Sequence, residues 1–160
     1  MKKHVRTFAV LGVCVLGLGV FTALYGQDNG QDNGRSGATY LTTVTNANTG
    51  AFSSRSVITL HADHSLTVID SGQGGPGIQF SGQQGSWAQT PGAGVVARTL
   101  DFSFPSAGIA RVDYNFTTVN KDQVSGTITL TVFGLTDNPL DGGGTVVGMF
   151  NFTGTRVRVP

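Results

Sequence analysis

Between residues 124 and 134 the side chains alternate without a break, with Val124, Gly126, Ile128, Leu130 and Val132 set against Ser125, Thr127, Thr129 and Thr131. A period of two with one greasy and one polar side describes a half-buried strand. It excludes a helix, whose apolar positions recur every three or four residues. The same parity predicts strands over residues 96–104 with Leu100, Phe102 and Phe104 inward, over 110–118 with Val112, Tyr114 and Phe116 inward, and over 146–158 with Val146, Phe150 and Phe152 inward. Shorter segments at 40–45, 56–61, 66–71 and 85–89 bring the number of strands to eight.

Turn chemistry separates them. Asn48-Thr49-Gly50, Ala62-Asp63-His64, Thr90-Pro91-Gly92, Pro105-Ser106-Ala107-Gly108 and Asn120-Lys121-Asp122 are residues that tolerate tight or left-handed backbone. Two Gly-rich connections, 72–82 and 136–144, are longer and have the character of loops that cap or gate a barrel mouth. Eight strands, each greasy on one side, hide that side by closing on themselves or by pairing as two sheets. The fold class is therefore all-β, an antiparallel up-and-down barrel of eight strands, with a β-sandwich as the alternative. An outer-membrane barrel fits less well, because the sides turned away from the core are Thr and Ser and the last residues are Arg156-Val157-Arg158-Val159-Pro160.

The N-terminus has a different composition. Lys2, Lys3 and Arg6 precede an apolar run over 8–24 and then the doubled tetrapeptide Gln27-Asp28-Asn29-Gly30, Gln31-Asp32-Asn33-Gly34. Charge, grease and polar spacer in that order form an export signal, and the run is of a length that serves either a cleaved signal or a membrane anchor. The division read from this is 1–26 signal peptide or signal anchor (an apolar signal helix), 27–38 polar linker and 39–160 barrel domain, secreted or periplasmic, or held to a membrane through 8–24 if uncleaved. Cys14 is the lone cysteine and lies in the signal, so the domain has neither disulfides nor thiolate metal sites. Residues 27–160 carry seven Arg or Lys against nine Asp, a net charge of −2, which is no footprint for nucleic acid.

The candidate chemistry is sparse. Gly72-Gln73-Gly74-Gly75-Pro76-Gly77 spells Gly-x-Gly-x-x-Gly, but Pro76 and Ile78-Gln79-Phe80 continue as loop and strand where a phosphate-binding helix would have to open. His61 and His64 flank a hairpin turn, which splays them apart, so no metal is assigned. No serine stands in a nucleophile elbow. Of the carboxylates, Asp70 falls in phase with Leu66 and Val68, whereas Asp101 and Asp113 fall out of phase with the greasy residues of their strands and are read as solvated. Arg98 shares the parity of Leu100 and Phe102, so it is read as turned inward or toward a rim, where it needs Asp70 or a ligand anion as partner. Trp87 is the only tryptophan and stands where a short strand leaves a Gly-rich loop.

The turn at Ala62-Asp63 within 59–67, the segment Gly85-Ser86-Trp87-Ala88-Gln89-Thr90, the run Thr99-Leu100-Asp101-Phe102-Ser103-Phe104 and Val124-Ser125-Gly126-Thr127 together give the stretch 40–158 a resemblance to a loose class of small exported bacterial proteins with calycin-like or allene-oxide-cyclase-like barrels. Lipocalins also carry Gly-x-Trp, but at their first strand, whereas Trp87 is mid-chain. The resemblance implies a cavity able to hold a small apolar molecule and transfers no catalytic residue. The resulting expectation is a non-enzymatic exported barrel that binds a small apolar or amphipathic molecule at Arg98, Trp87, Phe102 and Tyr114, with no catalytic residue, cofactor or metal. The alternatives are a cyclase or isomerase and a filled structural envelope barrel. Export predicts a mature chain that begins between Ala23 and Arg35, which N-terminal sequencing of secreted material checks; a full-length cytoplasmic protein would overturn it.

Overall fold

The computed structural model describes residues 37–74, 79–91 and 94–159, so the expectations for the signal and most of the linker lie outside the described residues. Nine strands follow in order: β1 Ala38–Asn46, β2 Phe52–Leu60, β3 Ser65–Asp70, β4 Gln79–Phe80, β5 Gln83–Gln89, β6 Val95–Phe104, β7 Gly108–Val119, β8 Gln123–Phe133 and β9 Thr145–Arg156. All pairings are antiparallel, and eight strands form a continuous meander in which β3 is followed in space by β5. Strand β9 then returns to β1, from Tyr40 opposite Arg156 to Asn46 opposite Phe150. The sheet closes as the alternation predicts, and closure leaves no long unpaired edge.

The extra strand lies within a segment read from the sequence as loop. β4 pairs with the far end of β6, Gln79 opposite Phe104 and Phe80 opposite Ser103, and the Ser81 N–H donates to the Phe102 carbonyl at 2.9 Å. β4 and β5 are thus two pieces of one wall, interrupted at Ser81-Gly82.

The two ends of the barrel differ. At one end, the closed end, β1 begins, β9 finishes, and the turns β2–β3, β5–β6 and β7–β8 lie together. Here Tyr40, Leu60, Leu66, Val95, Phe116, Val124 and Phe152 are fully buried. Gly126 stands opposite Phe116 on β7 and Phe152 on β9, and a Cβ at that position would fall 2.9 Å from the Phe152 ring. Its lack of a side chain lets the two rings meet edge to face, centroids 5.1 Å apart at 79°, and Tyr114 joins them 6.1 Å from Phe152. Such aromatic pairs contribute about 0.5–1.5 kcal/mol each beyond area burial. The Tyr40 hydroxyl closes the end by donating to the Asn120 carbonyl at 2.8 Å.

On β7 and β8, and for Phe150 and Phe152 on β9, the inward residues are those the alternation assigns, and Thr127 and Thr129 face outward. β6 is inverted. Val95, Ala97, Thr99 and Asp101 point inward and are buried, while Arg98, Leu100 and Phe102 point outward, with Phe102 53 % exposed, and Phe104 at the strand's end borders the mouth. The reason is register: Asp101 stands opposite Ala110 and Thr99 opposite Val112, and directly opposed residues of an antiparallel pair share a face. Val146 is also exposed, because a bulge between Leu130 and Thr131 sets Val146 against the outward Thr131 and brings Val147 to the barrel mouth.

Arg98 therefore lies on the outer wall. Its Nε donates to Asp113 Oδ1 at 2.6 Å, and Arg111 Nε donates to Asp113 Oδ2 at 3.0 Å. Arg111 also donates to the carbonyls of Pro139 and Asp141 and lies 5.1 Å over the Phe133 ring, which ties the 134–144 loop to the outside of the barrel. The two faces of β6 and β9 make a direct test. Phe152→Ala is expected to cost about 3–5 kcal/mol in a denaturant melt, whereas Phe102→Ala is expected to stay within about 0.5 kcal/mol of the parent.

Candidate functional site

Toward the other end, the mouth, the inward side chains become small and polar: Ser54 and Ser56 from β2, Asp70 from β3, Gln83 from β5, Thr99 and Asp101 from β6, and Ala110 from β7. An eight-stranded barrel has an interior only just filled by ordinary side chains, so small ones leave space. A cavity of about 540 Å³ opens there, lined by Phe80, Gln83, Asp101, Phe104, Pro105, Ala110, Leu130, Val132 and Val147 with Ser103 and Ser106 at the rim. A second hollow of about 220 Å³ adjoins it, sharing Phe80, Gln83 and Leu130 and reaching Asp70, Tyr114 and Phe150.

Gln83 forms the floor between them. Its Oε1 accepts from the Tyr114 hydroxyl at 2.6 Å and from Thr99 Oγ1 at 3.1 Å. Burial pushes the Tyr114 phenol well above its ordinary range, and the Asp70 and Asp101 carboxylates add to that push, so Tyr114 stays a neutral donor.

The two interior carboxylates differ sharply in their surroundings. Asp70 is held by its own strand region: Ser54 Oγ donates to Oδ2 at 2.7 Å, Ser56 Oγ donates to the same oxygen, and the Gly72 N–H donates to Oδ1 at 2.7 Å. Asp101, 4 % exposed, has its Oδ1 buried with no hydrogen-bond partner among the described residues. Burial raises its carboxyl to about 6. Greasy Leu100 and Phe102 on either side predict Asp101 in water; the register with β7 reverses that.

The four residues expected to meet a ligand are not gathered in this cavity. Trp87 is buried at the closed end, stacked on His64 with centroids 4.5 Å apart and donating from Nε1 to the His61 carbonyl at 3.0 Å. Tyr114 is the buried donor beneath Gln83, and Phe102 is on the outer wall. Arg98, Trp87 and Tyr114 border a shallow outer groove of about 600 Å³ over β5 to β8, with the side chains of Trp87 and Tyr114 turned away from it into the barrel. His61 and His64 sit as the hairpin predicts, His61 Nε2 against Thr67 Oγ1 at 3.2 Å and His64 on Trp87, and among the described residues no cluster of His, Cys, Asp or Glu could hold a metal ion. Asp101, Gln83 and Phe80 were missed as site residues, though the hairpin turn at 105–108 carried the signal for Asp101.

Comparison with protein-family models, with curated proteins and with solved structures finds no match. The site is read from its own chemistry.

A carboxyl raised by burial favours the fold while it is neutral and disfavours it once ionised. Its stabilising contribution is therefore present below the unfolded value of 3.8 and lost as pH rises through about 6. Asp101→Asn is expected to match the parent in thermal melts below that window and to exceed it by on the order of 2 kcal/mol at neutral pH, a figure reduced from the full shift because the mouth admits water. Equal melting temperatures for the two proteins at neutral pH would show that water or a counter-charge already satisfies Asp101.

Proposed function

We propose that this chain is an exported, non-enzymatic barrel, calycin-like in plan, that holds a small apolar or amphipathic molecule in the mouth. The observation that carries this reading is the division of the interior. The closed end is packed with interlocking aromatics, whereas the mouth keeps about 540 Å³ of space walled by Phe80, Phe104, Pro105, Leu130, Val132 and Val147. Apolar pockets of this size with a few convergent polar groups are the usual form of small-molecule sites. A filled structural barrel would have no reason to place Ala110 beside an open cavity that a larger side chain could occupy. Export rests on the order of charge, apolar run and polar spacer over residues 1–34. A ligand here lies against Phe80, Pro105 and Asp101 at the mouth, not against Arg98 on the outer wall.

N-phenyl-1-naphthylamine, a neutral fluorophore that brightens in apolar surroundings, is expected to bind saturably with a Kd on the order of micromolar. Val147→Trp narrows the mouth from a half-exposed position with little cost to the core, and it is expected to weaken that binding about tenfold. Fluorescence that rises without saturation, or that ignores Val147→Trp, would favour the filled envelope barrel instead.

A further inference from the structure

The mouth cavity is apolar over most of its wall and, among the described residues, carries one ionisable side chain, Asp101. The residues around it on the neighbouring strands offer no cation. Gln83 on β5 is committed to Tyr114 and Thr99 through its Oε1, Ala110 on β7 stands opposite, and Leu130 and Val132 on β8 are hydrocarbon. The other titratable groups of the interior at this end, among the described residues, are Asp70 on β3 and Tyr114 on β7. The first is a carboxylate already fully engaged by serines and a backbone N–H, the second a neutral phenol. Arg98 and Arg111, the nearest basic residues of β6 and β7, face outward and are paired with Asp113.

A buried carboxylate oxygen without a donor costs free energy that a ligand can return by supplying the donor. An anionic head group would meet only like charge here. A hydroxyl would supply a single donor and no charge, whereas an ammonium supplies up to three donors and a charge opposite to that of the ionised carboxylate. Resting on the reading of the mouth as a binding cavity, we propose that its ligand class is an apolar amine: an alkyl or aryl body against Phe80, Phe104, Leu130 and Val132, with a protonated amino group on Asp101. The same geometry makes retention pH-dependent. The amine stays protonated across the range in which Asp101 loses its charge, and release follows acidification through the window in which Asp101 takes up a proton.

The test compares decylamine, decanol and decanoate as displacers of N-phenyl-1-naphthylamine from the parent, Asp101→Asn and Asp63→Asn, the last removing an equal charge from the β2–β3 turn at the closed end. Decylamine is expected to displace the fluorophore from the parent at neutral pH at about tenfold lower concentration than decanoate. That advantage should vanish in Asp101→Asn and below about pH 5, persist in Asp63→Asn, and leave decanol unaffected by either change. Equal displacement by all three, unchanged in Asp101→Asn, would overturn the amine preference and leave the binding cavity standing. Failure of the fluorophore itself to bind saturably would remove the cavity reading and the amine preference together. Folding of Asp101→Asn is checked by its thermal melt, expected to be no lower than that of the parent.

Discussion

An eight-stranded barrel encloses a volume that ordinary side chains just fill, and the rest of this structure follows from how that volume is distributed along the axis. At the closed end Phe116, Phe152 and Tyr114 compete for the same space, and only because Gly126 yields its place do they fit. At the mouth the chain spends no such bulk. Ala110 beside the larger hollow and Ser54 beside the smaller are too small to fill the middle, so the space remains open. Rigidity at one end and vacancy at the other are therefore two results of one geometric limit.

The mouth also reverses the usual sidedness of a soluble barrel. Asp70, Gln83, Thr99 and Asp101 face inward there, while Phe102 and Ile69 face outward and are more than half exposed. The reversal is tolerated because most of the inward polar groups satisfy one another: the two serines hold Asp70, and Gln83 collects Tyr114 and Thr99. Asp101 is left out of both networks, and that isolation marks it as the group with chemistry to offer.

The class of fold was legible because Arg111, Asp113, Asn115 and Thr117 on β7, and Ser125, Thr127, Thr129 and Thr131 on β8, recur at alternate positions with mostly hydrophobic residues between them, a pattern only a one-sided sheet produces. The inward face of β6 was not, because alternation fixes which residues share a face but not which face is buried. There Leu100, Phe102 and Phe104 outweigh Ala97 and Thr99 in hydrophobicity, although the smaller set lies inside. The hairpin to β7 could have corrected it: Ser103 pairs with Gly108 across the turn, so the odd-numbered residues of β6 must share a face with the even-numbered residues of β7. Placing Leu100 and Val112 on one face violates that count, which the strand bounds 96–104 and 110–118 do not reveal because they leave one residue more between the strands than an even-numbered turn has. The bulge that exposes Val146 left no comparable trace, since nothing in Leu130-Thr131 or Val146-Val147 distinguishes a bulged pair from a regular one.

Because β1 starts at Ala38 and β9 stops at Arg156 on adjacent strands of the closed end, the chain enters and leaves the barrel on the side away from the mouth. Whatever is joined upstream of Ala38 is thus attached at the base of the barrel, like a stem beneath a cup. A tether to a surface would hold the rim toward the surrounding medium. A label or second protein joined directly at Ala38 or Arg156 would likewise be attached on the side away from the opening.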